Sequence, residues 1–133
     1  MYGISIGIKA QNPTEIINQI KRGLPVSSFD KLRKNLDISE KTLSLTVRIA
    51  KRTLTRRKQE GRLKADESER VFRIAKLYDK AVDVFEKPNL ARKWFIEPAR
   101  ALGGKTPLEY ADTEPGAQEV DDLLGRIEHG VFS

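Results

Sequence analysis

From Val71 to Phe85 the apolar residues Val71, Ile74, Leu77, Tyr78, Ala81, Val82 and Phe85 recur at three- and four-residue spacing without interruption. That period belongs to an α-helix with one continuous buried stripe. Asp66, followed three residues later by Glu69, forms a capping box that opens the helix, and Pro88 with Asn89 breaks it. A stripe this long has to be covered from both ends, so the element joins the two halves of the chain.

The flanking segments also have helical periodicity. Asn12 then Pro13 supplies a cap and a first-turn proline, Ile16, Ile17 and Ile20 form one apolar face, and Gly23 ends the element. Ser27 or Ser28 is positioned to cap a helix carrying Phe29, Leu32 and Leu36. Beyond Pro88 a helix carries Leu90, Trp94 and Phe95 as far as Pro98. Gly103 and Gly104 then turn the chain, Pro107 opens a short helix with Leu108 inside, and Gly116 punctuates before a last helix. That helix, from Ala117 to Glu128, holds Val120, Leu123, Leu124 and Ile127 on one face and stops at Gly130. Only Ile4, Ile6 and Ile8 alternate with a period of two, which fits a short extended arm or an unstructured N-terminus. The expected fold class is all-α.

With 133 residues the chain has room for one compact domain or two small helical units sharing a core. It has no cysteine and one histidine, so disulfides, thiolate-bound zinc and a histidine metal site are excluded, and no cofactor is expected. No apolar run approaches the roughly 18 residues of a membrane span, and MYGISIGIKAQNP lacks the features of a signal peptide. The expectation is a cytoplasmic protein with no membrane partner.

The formal net charge of +6 is unevenly distributed. Lys41 to Lys64 contains nine Lys or Arg against one acid, Glu60, whereas Pro107 to Ser133 contains seven acids against one base, Arg126. Two regions of opposite sign point to two different partners. In the basic region, NLDISEKTLSLTV and RIAKRTLTRRKQEG read as two consecutive short helices. Ser39 caps Glu40 to Val47, with Leu43 and Val47 inward. The second helix, Lys51 to Gln59, turns Leu54 inward and Arg52, Arg56, Arg57 and Lys58 outward, and Gly61 closes it. A short helix, a tight turn and a basic second helix form a helix-turn-helix whose second member enters the major groove. Lys51, Arg52, Thr55, Arg56 and Lys58 are the expected DNA contacts, neutralising phosphates and, for arginine, bonding guanine. Arg48 stands at the usual glycine of the turn and Ala50 at the usual capping serine. An earlier register, with Phe29 to Leu36 as the first helix, has a recognition helix poor in bases, so the later register is preferred.

From Gly61 onward the segments GRLKADESERVFRIAKLYDKAVDVF, ARKWF and ALGGKTPLEYADTEPGAQEVDDLLGRIEHGVFS resemble the Xre/MbcA/ParS antitoxin family. The match is densest where Ala91, Trp94, Pro98, Leu102, Gly103, Gly104, Pro107, Gly116, Val120, Leu123, Arg126, Ile127 and Gly130 keep the family's order and spacing, with Phe95 where leucine is more usual. The resemblance implies an antitoxin that blocks a RES-domain toxin, an enzyme that degrades NAD, and that dimerises and represses its own operon through operator DNA. The implied organisation is an N-terminal arm at 1–11, a helix-turn-helix DNA-binding region at 12–64 and a toxin-binding domain at 65–133. An acidic helix with an apolar tail would cover a basic, phosphate-binding active site. Glu119, Asp122, Arg126, Glu128, His129, Val131 and Phe132 are the expected toxin contacts. The competing reading is a DNA-binding transcriptional regulator with no toxin partner.

Other motifs fall away. Gly104-Lys105-Thr106 lacks the earlier glycine of a phosphate-binding loop, because Ala99 occupies that position, and reads as a turn. His129 has no nucleophile or carboxylate constellation around it, so an enzyme is not expected. Trp94 on an apolar face reads as core.

Overall fold

The computed structural model describes residues 3–130. Eight α-helices and two short 3-10 turns account for the regular structure among these residues, and the only extended pairing is an isolated bridge between Pro25 and Arg62. The helices are α1 (Pro13–Arg22), α2 (Ser27–Leu36), α3 (Glu40–Val47), α4 (Lys51–Glu60), α5 (Ala65–Phe85), α6 (Pro88–Ile96), α7 (Pro107–Tyr110) and α8 (Glu114–Glu128). The 21 residues of α5 make a rod of about 30 Å. Its buried stripe includes Val71, Ile74, Leu77, Tyr78 and Ala81, and α1, α2, α3, α6 and α8 all pack against this helix. Because α2 also touches α6, the buried apolar residues form one cluster running from Ile6 to Leu124. No helix among the described residues is long and apolar enough to cross a membrane.

Several helix starts differ from the expectation. The cap of α5 lies two residues earlier, at Lys64, whose N–H donates to the Glu67 carboxylate at 2.8 Å. Asp66 and Glu69 therefore sit inside the helix as solvated residues. Neither serine caps α2. Ser28 is buried, and its hydroxyl donates to the Ile6 carbonyl at 3.2 Å. The last helix begins at Glu114, with the Thr113 hydroxyl accepting from Gly116 N–H, so Gly116 lies in the first turn. A Cβ there would strike the Tyr110 carbonyl, so the glycine permits close approach of two backbones and does not mark a boundary.

The N-terminal isoleucines are not extended. Ile4–Ile6 form a 3-10 turn bracketed by Gly3 and Gly7, both at positive φ, which buries Ile6 and Ile8 and leaves Ile4 in solvent. Ser28 and Asn35 of α2 donate to carbonyls of this turn, and the Gly3 N–H donates to Asp79 of α5 at 2.6 Å. Alternation of apolar residues was satisfied by a compact turn because glycines at both ends supply conformations closed to other residues. Burial raises the Asp79 carboxyl above its ordinary range, and the hydrogen bonds from Ser5 and Gly3 only partly oppose it.

Other expected caps and turns are present. Asn12 caps α1 by accepting from Glu15 N–H, although the Ile16, Ile17 and Ile20 face is only half covered and Ile17 remains 49 % exposed. Gly103 and Gly104 form the expected turn at positive φ, and Thr106 caps α7 in a reciprocal pair with Glu109. Trp94 packs between Phe85 and Phe95, at centroid distances of 5.7 and 6.0 Å, at the joint of α5 and α6.

Candidate nucleic-acid and protein interfaces

α3 and α4 form a helix-turn-helix. Ser39 caps α3 by accepting from Thr42 N–H at 3.0 Å, and Leu43 and Val47 hold the helix to the core. Arg48 takes the turn position at φ 55, the left-handed conformation that explains why glycine is usual there. Ile49 is buried beneath the turn, Ala50 begins α4 without a side-chain cap, and the Gly61 N–H closes α4 on the Arg57 carbonyl.

All five expected DNA contacts, Lys51, Arg52, Thr55, Arg56 and Lys58, are exposed on α4. Two of them have partners within the protein: the Thr55 hydroxyl donates to the Lys51 carbonyl, and Lys58 pairs with Glu40 at 2.8 Å. Lys51, Arg52 and Arg56 are the cations that helix leaves free of ion pairs among the described residues.

Arg57 does not face solvent. It is 7 % exposed and forks onto Glu67, itself 5 % exposed, through Nε at 2.7 Å and Nη2 at 3.0 Å, while Nη1 donates to Glu60. Glu67 thus pairs with Arg57 across two helices and not with Arg70 along its own. Arg70 instead donates to the Val47 carbonyl at 2.6 Å and to the Arg48 carbonyl, closing the end of α3. Burial pushes the Glu67 carboxyl upward, but the Arg57 guanidinium and the Lys64 N–H outweigh it and hold the group below its ordinary range. The same pairing raises Arg57 further above its already high value. Two arginines therefore fasten the helix-turn-helix to α5. A signal for Arg57 was present: it lies three residues after Leu54, on the buried stripe of α4.

α8 presents a second charged face, of opposite sign. Val120, Leu123 and Leu124 pack it against α5, and Arg73–Glu114 (3.1 Å) and Lys80–Asp121 (2.8 Å) tie its flank to the same helix. Glu119, Asp122, Arg126 and His129, spaced three, four and three apart, share the exposed face, where Asp122 accepts from Gln118. Glu128 is exposed on the neighbouring flank. Val131 and Phe132 lie outside the described residues. No group of acidic residues and histidine with metal-binding geometry occurs among the described residues.

Comparison with known proteins matches two family models to these regions. Residues 15–76 match an antitoxin Xre-like helix-turn-helix domain, and residues 80–130 match an antitoxin Xre/MbcA/ParS C-terminal toxin-binding domain. Antitoxin Xre of Yersinia enterocolitica serotype O:8 / biotype 1B is 38% identical over 130 residues, covering 96% of this chain and 88% of the relative. Antitoxin Xre of Photorhabdus laumondii subsp. laumondii is 34% identical over 131 residues, 97% of this chain and 88% of the relative. A Sphingobium sp. protein named Prs ADP-ribosylating antitoxin is 26% identical over 132 residues, 92% of this chain and 83% of its own length.

Proposed function

The chain belongs to the Xre/MbcA/ParS family of antitoxins, and from that premise we propose that it neutralises a RES-domain, NAD-degrading toxin in the cytoplasm and represses its own operon as a homodimer. The observation that carries the neutralising role is the geometry of α8, which is locked to α5 along one side and presents Glu119, Asp122, Arg126 and His129 along the other. An enzyme that binds the pyrophosphate of NAD needs cations around its active site. An acidic helix held rigid beforehand docks on such cations without the entropic cost of ordering itself. Glu128, Val131 and Phe132 extend the same contact, and the toxin's active site is blocked by occupation of its entrance. In this division of labour 12–64 meets operator DNA and 65–133 meets the toxin, with Ile6 and Ile8 of the N-terminal turn region closing the core.

On the other side Lys51, Arg52 and Arg56 approach phosphates and base edges in the major groove, with Thr55 and Lys58 beside them. The protein works by binding and carries out no chemistry of its own.

Co-expression with the product of the neighbouring gene tests this reading through cell growth, intracellular NAD and co-purification. Restored growth and NAD with a stable complex are expected, and deletion of residues 130–133 weakens the rescue while circular dichroism stays unchanged. Failure to form a complex or to rescue growth would leave a DNA-binding regulator. A second reading of the toxin's chemistry, transfer of ADP-ribose to a protein, takes its support from the Sphingobium relative's name. A target that gains ADP-ribose before bulk NAD falls would favour it.

A further inference from the structure

α1 and α8 both pack on α5, and the three helices line an open groove of about 570 Å³. α1 contributes Ile17 and Ile20, α5 contributes Phe72 and Leu77, and α8 contributes Ala117 and Gln118. The groove lies where the apolar face of α1 is left uncovered. Its isoleucines share that face, yet none is fully buried: Ile16 packs on the core, whereas Ile17 at the far edge is 49 % exposed.

We propose that this groove anchors the toxin, through an apolar segment of the toxin that sits beside the cations meeting α8. The proposal rests on the antitoxin reading above and extends its contact beyond 65–133 onto α1. Contacts between exposed charges steer association and fix orientation, while most of the affinity comes from apolar side chains desolvated in a pocket. The outward face of α8, with Glu119, Asp122, Arg126 and His129, offers only the first kind. The large apolar side chains exposed among the described residues are Ile4, Ile17, Leu45, Leu90 and Ile96. Of these, only Ile17 borders a groove that α8 shares. The two surfaces are also continuous. Gln118 lines the groove and donates to the Asp122 carboxylate at 2.9 Å, so a partner seated over Asp122 overhangs the groove within about one turn of α8.

Charge decides the kind of occupant. Along the rim Arg73 pairs with Glu114, and Asp121 with Lys80. The acids there, Asp66, Glu69, Glu114 and Asp121, outnumber Lys21, Arg73 and Lys76, so the groove offers a nucleic acid no cationic track. Ion pairs already closed within the chain leave it suited to apolar surface rather than to charge. No residue of α4 lines it, which keeps the toxin and DNA faces separate. Ile17 and Ile20 fall within the residues matched by the helix-turn-helix model, and Ala117 and Gln118 within those matched by the toxin-binding model. The toxin's footprint therefore crosses from one half of the protein to the other.

The test is calorimetric titration of the full chain with the purified product of the neighbouring gene. Ile17→Glu is expected to weaken the complex at least tenfold. Asn18→Glu, which puts the same charge on the next residue of α1 but outside the groove, is expected to leave it unchanged. Both variants keep the wild-type circular dichroism spectrum and operator affinity. Because the chain has no cysteine, an environment-sensitive fluorophore can be attached at a single engineered site. On Ile17→Cys its emission shifts to the blue when the toxin is added, and on Leu45→Cys it does not. A wild type that binds no toxin would overturn the antitoxin reading together with the groove. A complex that forms but ignores Ile17→Glu, with a label at position 17 that stays in water, overturns the groove alone. The same holds if Ile17→Glu splits a homodimer of the free chain while toxin affinity is intact, since the groove then belongs to a second copy.

Discussion

The α4 and α8 helices present exposed charged faces of opposite sign, yet they are held to α5 by different physics. α4 buries one leucine, Leu54, and depends on a polar clamp in which Arg57 forks onto Glu67 while Arg70 ties down the preceding turn. α8 buries Val120, Leu123 and Leu124 and keeps its ion pairs at the surface. A helix crowded with cations has few positions left for apolar anchors, so one cation is turned inward and neutralised. A helix with a full apolar stripe needs no such device. The clamp is specific in direction but sensitive to charge, whereas the stripe is insensitive to charge but sensitive to volume.

The largest expected effect breaks the clamp. Glu67→Ala leaves the buried Arg57 guanidinium with only the half-exposed Glu60 opposite it, and thermal unfolding should occur about 15 °C lower. Adding Arg57→Met should recover most of that loss, because an apolar pair removes the uncompensated charge. Next, Leu124→Ala opens a cavity under α8 and should lower the midpoint by about 10 °C, with no rescue by any change of charge. If both variants responded alike to salt, the contrast between the two attachments would fail.

Arg52→Ala with Arg56→Ala removes function without touching either attachment. Operator affinity in a gel shift should fall about 10- to 100-fold, and the slope of log affinity against log salt should shrink by about two. Unaltered binding would move the reading helix elsewhere.

The pH response separates the regions more finely. Glu67 has a depressed carboxyl in the folded protein, so its contribution is fully present above the ordinary carboxylate range and is lost as pH falls through the folded value. Asp79 is raised by burial, so its sign is opposite: it costs stability at neutral pH, and protonation on acidification relieves that cost. Glu67→Gln should therefore flatten the acid limb of stability against pH, and Asp79→Asn should steepen it while leaving the fold intact at pH 7. The smallest expected effect is Asp121→Asn, where a partly exposed ion pair to Lys80 is worth about 0.5 kcal/mol in urea unfolding.

The helical period from Val71 to Phe85, the caps at Asn12 and Ser39 and the glycine at position 61 are one-dimensional signals, and each element they announced is present. The exposed positions of α4 and α8 were legible for the same reason, since spacing alone separates the two faces of a helix. What spacing does not encode is the neighbour across a gap in sequence. Arg57 was read as solvent-facing because arginine is usually so, and only the approach of α5 supplied Glu67 ten residues away. The folded turn at Ile4–Ile6, the buried Ser28 and the role of Gly116 likewise depend on which backbone lies opposite. The sequence by itself thus determined the all-helical class, most of the helices and the two charged faces, because these follow from local periodicity and counted charge. Only the tertiary structure decided which charges are buried, where the N-terminal turn rests and how α1, α5 and α8 line a common groove. These outcomes depend on burial and on long-range pairing, where a few desolvated contacts outweigh any local preference.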